Sequence, residues 1–147
     1  MDISSFTVIL LLFMYIAALL GMEMFAYSVF YDVDGEVVLG KSNIQAAFVE
    51  GEELNWPRDN FNNIFSSLVT VFIVIMAEDW NATMYLYVRA YGHESTGGRP
   101  LAIFYFIALF IVGNTIMLAL FTALLLKNFM EDLESLTTKV KDRERRE

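Results

Sequence analysis

The stretch from Asn60 to Trp80, NFNNIFSSLVTVFIVIMAEDW, decides how this chain is built. Its first 18 residues carry no charge and approach the length of a membrane-spanning helix, yet polar side chains fill its first two-thirds. Capping residues, Asp59 and Asn60, precede a helical apolar pattern, and two acids, Glu78 and Asp79, follow it. The pattern predicts a helix that starts at a membrane surface, dips into the bilayer and ends at two carboxylates.

The chain after Trp80 leads back out of the bilayer. A second short helix is predicted from Ala82 to about Tyr91, and the glycines of the loop 92–99 end it. Backbone and carboxylates at membrane depth are tolerated only where they line a water-filled cavity or are buried in protein. We therefore interpret residues 60–91 as a re-entrant pore loop; its formal glycosylation sequon at Asn81 lies inside the loop, so we expect no modification there.

Two charge-free stretches flank this loop. One runs from Ile3 to Met22, lacks a basic start and a cleavage site, and is predicted to be a retained spanning helix over residues 1–27. The other lies in a helix predicted over residues 100–134. With 56% hydrophobic residues, the chain is too apolar for one soluble domain of its length. We predict an all-α membrane protein with two transmembrane helices and a re-entrant helix–filter–helix loop between them; its abrupt opening suggests a piece of a longer protein.

Charge sets the expected orientation. The 18 acidic and 10 basic residues give a net charge of −8, with acids concentrated in the loop 28–59 and most bases from Lys127 onward. Since Lys and Arg mark the cytoplasmic side, the tail 135–147 is predicted to be cytoplasmic and the loops extracellular, in a multi-pass protein of the plasma membrane. Within the acidic turret loop 28–59, Asp34-Gly35 favours either a small hairpin or a plain solvated loop.

Several functional classes are disfavoured. The acid-rich chain is a poor partner for nucleic acid. It contains no cysteine, so neither a disulfide framework nor a thiolate metal site is available. No nucleophile and base pair, phosphate loop or enzymatic metal-ligand cluster stands out, so we expect neither an enzyme nor a bound cofactor.

Three stretches resemble the pore of four-repeat voltage-gated calcium channels, most of all their second repeat. Phe61–Phe72 with Ala77-Glu78-Asp79-Trp80-Asn81 is similar to the pore helices and filter, Gly113–Ala123 to the inner pore helix, and Gly21–Phe25 to the end of the outer pore helix. The resemblance implies a pore-forming segment of a cation channel, with three further pore repeats or identical subunits around a fourfold or pseudo-fourfold axis. The voltage sensor of that family is missing from this chain.

The expected site is a selectivity filter. Glu78, repeated around an axis, would form a ring of carboxylates that binds the permeating Ca²⁺, and Asp79 would add charge at the outer mouth. Backbone carbonyls of Met76 and Ala77 would supply deeper, weaker sites, and Trp80 would brace the filter or anchor it at the interface. Near one face of the last helix, Phe110, Leu118, Phe121 and Leu125 are candidates for a hydrophobic gate.

Two positions depart from the calcium-channel pattern. Met76 stands where a threonine is usual two residues before the glutamate, and Ala119 stands where the inner helix usually has a second asparagine. The first bears on calcium selectivity and the second on gating. Two alternatives therefore stay open beside a calcium-conducting pore: a sodium leak or non-selective cation channel repeat of the same superfamily, and a non-conducting membrane protein whose loop contacts a partner.

Overall fold

The computed structural model describes residues 3–51, 53–94 and 98–145 of the chain. Within these ranges the chain forms helices and one small antiparallel hairpin. In order they are α1 (Ile3–Phe25), β1 (Val29–Tyr31), β2 (Val37–Leu39), α2 (Lys41–Glu50), α3 (Ile64–Ile75), α4 (Trp80–Glu94) and α5 (Gly98–Glu144).

Two of the helices are long and apolar enough to cross a membrane, α1 over Thr7–Phe25 and α5 over Gly98–Lys139. Most of their large apolar side chains stay exposed on the single chain, Leu12 and Leu118 among them. Helices suit this role because every backbone group within them is bonded inside the same segment, which a hydrocarbon environment requires.

An aromatic cluster around Phe25 joins the helices at one end of the molecule. Phe25, the last residue of α1, is fully buried and meets five rings at centroid distances from 5.3 to 5.6 Å. These rings come from the segment before α3, from α4 and from α5: Phe61, Tyr87, Tyr91, Tyr105 and Phe106. We call this group the Phe25 cluster.

Hydroxyl groups at the edge of the Phe25 cluster are satisfied by the backbone. The Tyr105 hydroxyl donates to the Ala17 carbonyl of α1 at 2.9 Å, and the Tyr87 hydroxyl donates to the Asp59 carbonyl at 3.0 Å. Burial, aided by the charge of Asp59, raises the pKa of Tyr87 far above its usual value, so this hydroxyl stays a donor. The Tyr105 hydroxyl therefore links α5 to α1, and the Tyr87 hydroxyl links α4 to the start of the loop.

The segment between α1 and α5 leaves the Phe25 cluster and returns to it. Phe61 lies in the cluster, whereas Ile75, at the other end of α3, lies beside Gly113 of α5, and the ring of Phe13 lies close to the same glycine. Phe13 is 12 residues before Phe25 in α1, a separation of roughly 18 Å along a helix. Since α4 brings the chain back to the cluster, the predicted helix–turn–helix excursion is confirmed.

The loop after α1 has more structure than a solvated loop. The hairpin, one of the two alternatives left open at Asp34-Gly35, forms, with Val29 opposite Leu39. Asp32 organises its turn, because one carboxylate oxygen accepts the backbone N–H groups of Asp34 at 3.0 Å and Glu36 at 2.8 Å. Helix α2, which we did not predict, follows and ends at Gly51 in a left-handed conformation.

Helix ends differ from the predicted ones for local reasons. Helix α3 starts at Ile64 because the side chain of Asn63, not that of Asp59 or Asn60, caps it by accepting the Ser66 N–H at 2.9 Å. Helix α4 starts at Trp80 rather than at 82 and continues to 94.

Helix α5 also exceeds its predicted bounds. It begins at Gly98 rather than at residue 100 and continues to Glu144, ten residues past the expected end at 134. No glycine or proline follows Gly113, and the charges of the tail include a Lys127–Glu131 pair at 3.7 Å across one helical turn. The predicted tail therefore continues the helix as far as Glu144.

Candidate functional site

The turn between α3 and α4 carries the predicted filter residues on a tightly bonded backbone. Met76 caps α3 in a helical conformation and Ala77 follows in the left-handed region with φ 63°. The Ala77 N–H donates to the Val74 carbonyl at 3.1 Å and the Glu78 N–H donates to the Ile73 carbonyl at 3.2 Å. These two bonds form a Schellman motif, which normally has glycine where this chain has Ala77.

The next residue starts the second helix. Asp79 also has a positive φ, 42°, and its carbonyl accepts the N–H groups of Ala82 at 3.0 Å and Thr83 at 3.3 Å. Only four residues, 76–79, thus separate the end of α3 from the start of α4. The C-terminal end of α3, which carries partial negative charge, and the N-terminal end of α4, which carries partial positive charge, meet at Glu78 and Asp79.

Both carboxylates are exposed. Within the ranges that the structure describes, neither the Glu78 nor the Asp79 side chain forms a hydrogen bond or an ion pair. Met76 and Ala77 are exposed as well, and none of the described backbone N–H groups bonds their carbonyls. The predicted filter residues are therefore contiguous and available to a ligand from outside the chain.

Two contacts hold this turn against α5. The indole of Trp80 stacks on the ring of Phe110 with centroids 4.5 Å apart and planes 18° apart. On the other side of the turn, the backbone at Gly113 lies so close to Ile75 that a Cβ there would overlap the Ile75 side chain. Because Trp80 and Ile75 flank the filter residues, α5 positions the turn from both sides.

The buried hydroxyl groups of α3 form hydrogen bonds to nearby backbone carbonyls, and these bonds allow them to lie at membrane depth. The Ser67 hydroxyl donates to the Asn63 carbonyl at 2.7 Å. The Thr70 hydroxyl lies 2.9 Å from the Ser66 carbonyl and 3.1 Å from the Asn60 carbonyl. Both residues are buried, so these bonds remove the cost of burying their hydroxyls.

The predicted gate residues lie apart from the turn. Leu118, Phe121 and Leu125 are all exposed on α5, C-terminal to the point where Gly113 meets α3. Phe110 differs from them, because its ring stacks on Trp80 and so supports the turn that carries the predicted filter residues.

The sequence analysis did not assign the supporting roles of three residues, although it named Phe110 as a gate candidate. Phe110 and Gly113 hold the turn, and Asn62 accepts the Tyr27 N–H at 2.8 Å, which ties the start of the loop to the end of α1. A glycine inside an apolar helix was the one available signal, since it marks a close approach of another backbone or side chain.

Comparison of the sequence with known proteins places the chain in a family. Residues 1–136 match the family model for ion transport protein. The chain is 39% identical over 141 residues to the voltage-dependent L-type calcium channel subunit alpha-1D of Rattus norvegicus and of Homo sapiens, and 38% identical to the alpha-1C subunit of Mus musculus. Each match covers 96% of this chain but only 5% or 6% of the relative.

These findings confirm the resemblance to voltage-gated calcium channels and the predicted class, an all-α membrane pore module. The match includes α1, the loop with its turn, and α5 to Leu136. The chain belongs to the ion transport protein family.

Proposed function

We propose that the chain is a pore-forming segment of a voltage-gated-type cation channel that conducts calcium, with Glu78 binding the permeating ion. The observation that carries the proposal is a pair of exposed carboxylates, Glu78 and Asp79, that have no hydrogen-bond or ion-pair partner among the described residues. They lie on a turn that is roughly 18 Å from the Phe25 end of α1, measured along that helix. An ionised side chain at that depth of a bilayer is costly unless it faces water or a cation. A water-filled pore beside the turn would expose the two carboxylates to water and to the permeating cation.

The proposal requires further modules around an axis. Ca²⁺ takes six to eight oxygen ligands, whereas one chain offers a single Glu78 carboxylate and the neighbouring carbonyls of Met76 and Ala77. Three further pore repeats or identical subunits would complete a ring of carboxylates, in which two ions sharing the ring repel each other and so leave quickly. Asp79 lies at the outer mouth, and Trp80 braces the filter through Phe110.

The orientation follows from charge and from the course of the loop. The loop starts and ends at the Phe25 cluster, on the side of the acidic residues 28–59, and the basic residues lie at the far end of α5. The Phe25 end is then extracellular and the tail cytoplasmic, in the plasma membrane. Leu118, Phe121 and Leu125 lie toward the cytoplasmic side, where an apolar constriction closes the pore.

Comparing Glu78→Gln with Asp79→Asn tests the filter assignment. In the channel that contains this module, Glu78→Gln should weaken calcium block of monovalent current at least tenfold, because it removes a charge that binds the divalent ion directly. Asp79→Asn removes an equal charge from a screened position and should mainly lower conductance at low ionic strength. The measurement is whole-channel current in graded calcium.

The outcomes separate the candidate functions. Equal effects, or a larger effect at Asp79, would shift the filter by one residue and contradict the assignment. Absence of any calcium block in the unmodified channel would favour the non-selective or sodium leak alternative, which the thioether of Met76 in place of a hydroxyl also favours. A complete absence of current in the assembled protein would leave the non-conducting alternative.

Cysteine accessibility tests the orientation, because the chain contains no cysteine of its own. A cysteine at Tyr85, which is 63% exposed on α4, should react with a membrane-impermeant thiol reagent from the extracellular side only. A cysteine at Lys141 is the matched control and should react only from the cytoplasmic side. Reaction of the Tyr85 position from the cytoplasm would rule out a loop that enters and leaves on the outer face.

A further inference from the structure

The charge-free part of α5, residues 100–126, carries four polar side chains, and one of them differs from the rest. Three donate a hydroxyl to a backbone carbonyl of the same chain, at 2.7 to 2.9 Å: Tyr105, Thr115 and Thr122. The fourth is Asn114, whose amide offers one acceptor and two donors. Among the described residues it has no hydrogen-bond partner, although its side chain is half-buried.

Asn114 lies near the middle of the spanning part of α5. It is 15 residues after Arg99 and 13 before Lys127, so roughly 20 Å of helix separates it from either charge. The neighbouring Gly113 meets Ile75 at the end of α3, which places Asn114 beside the inner end of the turn. An unpaired amide at this depth is costly in hydrocarbon, and such side chains face the interior of a helix bundle or a water-filled cavity.

Asn114 shares a side of α5 with the predicted gate. Leu118, Phe121 and Leu125 follow it at four, seven and eleven residues, which is the repeat of one helical face. Val112 lies on nearly the opposite side of the helix and lines a groove between α5 and α1. Asn114 is therefore on the side away from α1, between the turn and the predicted gate residues.

We propose that Asn114 lines the ion pathway between the filter and the gate, where its amide binds the hydrated cation through water. The inference rests on the proposed function, since a conducting pore supplies both water and a cation at this depth. One amide oxygen cannot replace the six to eight oxygen ligands of Ca²⁺, so the cation keeps its water here. A water molecule on the cation donates to Asn114 Oδ1, and such bridged contacts are nearly as favourable as direct hydrogen bonds.

The position of Asn114 gives it a role in the passage of the ion. A cation that leaves the carbonyls of Met76 and Ala77 must regain water before it passes the apolar side chains that begin at Leu118. Asn114 is the polar side chain of α5 between these two levels on that side. It therefore favours a hydrated cation in the cavity, and its removal should slow conduction.

Cysteine modification tests the location of Asn114 in the channel that contains this module. A methanethiosulfonate reagent with a trimethylammonium group, applied to open channels from the cytoplasmic side, should reduce the current of Asn114→Cys at least tenfold faster than that of Val112→Cys. Val112 is the matched control, because it lies two residues away at a similar depth, on the α1 side, and is 44% exposed. Rates are measured against the unmodified channel. Equal rates, or no reaction at position 114, would overturn the proposal.

The chemistry of the site has its own readout. Asn114→Asp keeps the size of the side chain and adds a negative charge, so block of outward current by cytoplasmic Mg²⁺ should strengthen at least fivefold. Asn114→Leu removes the amide at a similar size and should lower single-channel conductance at least twofold. Unchanged Mg²⁺ block in Asn114→Asp would contradict the contact with the cation. Loss of assembled channel with unchanged conductance in Asn114→Leu would assign the amide to a neighbouring helix instead and overturn the proposal.

Calcium block in the same membranes separates this inference from the proposed function. Calcium block that depends on Glu78, together with an unreactive Asn114→Cys, refutes the cavity site and leaves the filter assignment standing. Fast modification of Asn114→Cys in a channel whose calcium block does not depend on Glu78 supports the cavity site and refutes the filter assignment.

Discussion

At the scale of single residues, Ala77 is one of three non-glycine residues in the described ranges whose backbone has a positive φ. Its φ of 63° lies in the left-handed region, where a side chain costs roughly 1–2 kcal/mol and glycine costs nothing of the kind. Two backbone bonds from Ala77 and Glu78 hold it there. The strain sits one residue before the proposed ion ligand, where a stiff backbone keeps Glu78 in position.

Ala77→Gly should therefore stabilise the fold while loosening the filter. We expect the free energy of unfolding to rise by up to about 1 kcal/mol, since relief of strain exceeds the entropy cost of glycine. Ala119→Gly, on an exposed helical position of α5, is the matched control and should lower it by about 1 kcal/mol. Denaturation in detergent, followed by circular dichroism, measures both; a loss of stability at both positions would mean that Ala77 is not strained.

At the scale of elements, the contact between α3 and α5 positions the turn that carries the proposed filter. Gly113 lets the end of α3 approach α5, while Trp80 stacks on Phe110 just after the turn. Aromatic stacking of this kind contributes about 0.5–1.5 kcal/mol beyond buried area. Since both contacts are made by α5, a movement of that helix would displace the turn that carries the proposed filter.

Gly113→Ala should displace the filter without changing its chemistry. The added Cβ would overlap Ile75 Cγ1, so α3 must shift, at a cost of about 1–3 kcal/mol, and calcium block should weaken although Glu78 is intact. Ile75→Ala removes the overlapping atom. A double-mutant cycle of stability and calcium block checks the prediction: Gly113→Ala should be far less harmful in the Ile75→Ala background, and strictly additive effects would contradict the contact.

At the scale of the whole molecule, the Phe25 cluster is where separate parts of the chain are joined. The rings come from positions 25 to 106, and they connect the two long helices with both arms of the loop. Most other large apolar side chains of α1 and α5 face outward. The Phe25 cluster thus joins the helices at their proposed extracellular end, and buried residues such as Met14, Val74 and Ile75 continue the same core to the depth of the turn.

Phe25→Ala should accordingly be among the most damaging apolar truncations. Removing a fully buried ring with five aromatic neighbours should lower the free energy of unfolding by about 3–5 kcal/mol. Phe65→Ala removes the same atoms from α3 at a position that is 78% exposed and should cost less than about 1 kcal/mol in the isolated chain. Thermal unfolding of both variants in detergent tests this prediction. Similar losses of stability in the two variants would mean that the Phe25 cluster does not dominate the stability of the chain.

The sequence alone determined the division of the chain and the location of the candidate site. The sequence shows two charge-free stretches of spanning length and, between them, an uncharged helical pattern that stops at Glu78-Asp79. These features can be read directly because charge and hydropathy are local properties. The turn was located to within two residues for the same reason. The hairpin was one of two open readings, since Asp34-Gly35 marks a turn but not its partners.

The tertiary structure decided which residues support that site. The ring of Trp80 stacks on Phe110, and Asn63 rather than Asp59 caps α3, with Phe61 in the Phe25 cluster between these two positions. The sequence did not predict helix α2 because only two of its residues, Ile44 and Ala47, are buried, so its apolar pattern is weak. The helix packs on the hairpin, a contact that no local pattern reveals. Such contacts join positions far apart along the chain, and with 13 Phe and 7 Tyr available, no local pattern specifies which rings meet.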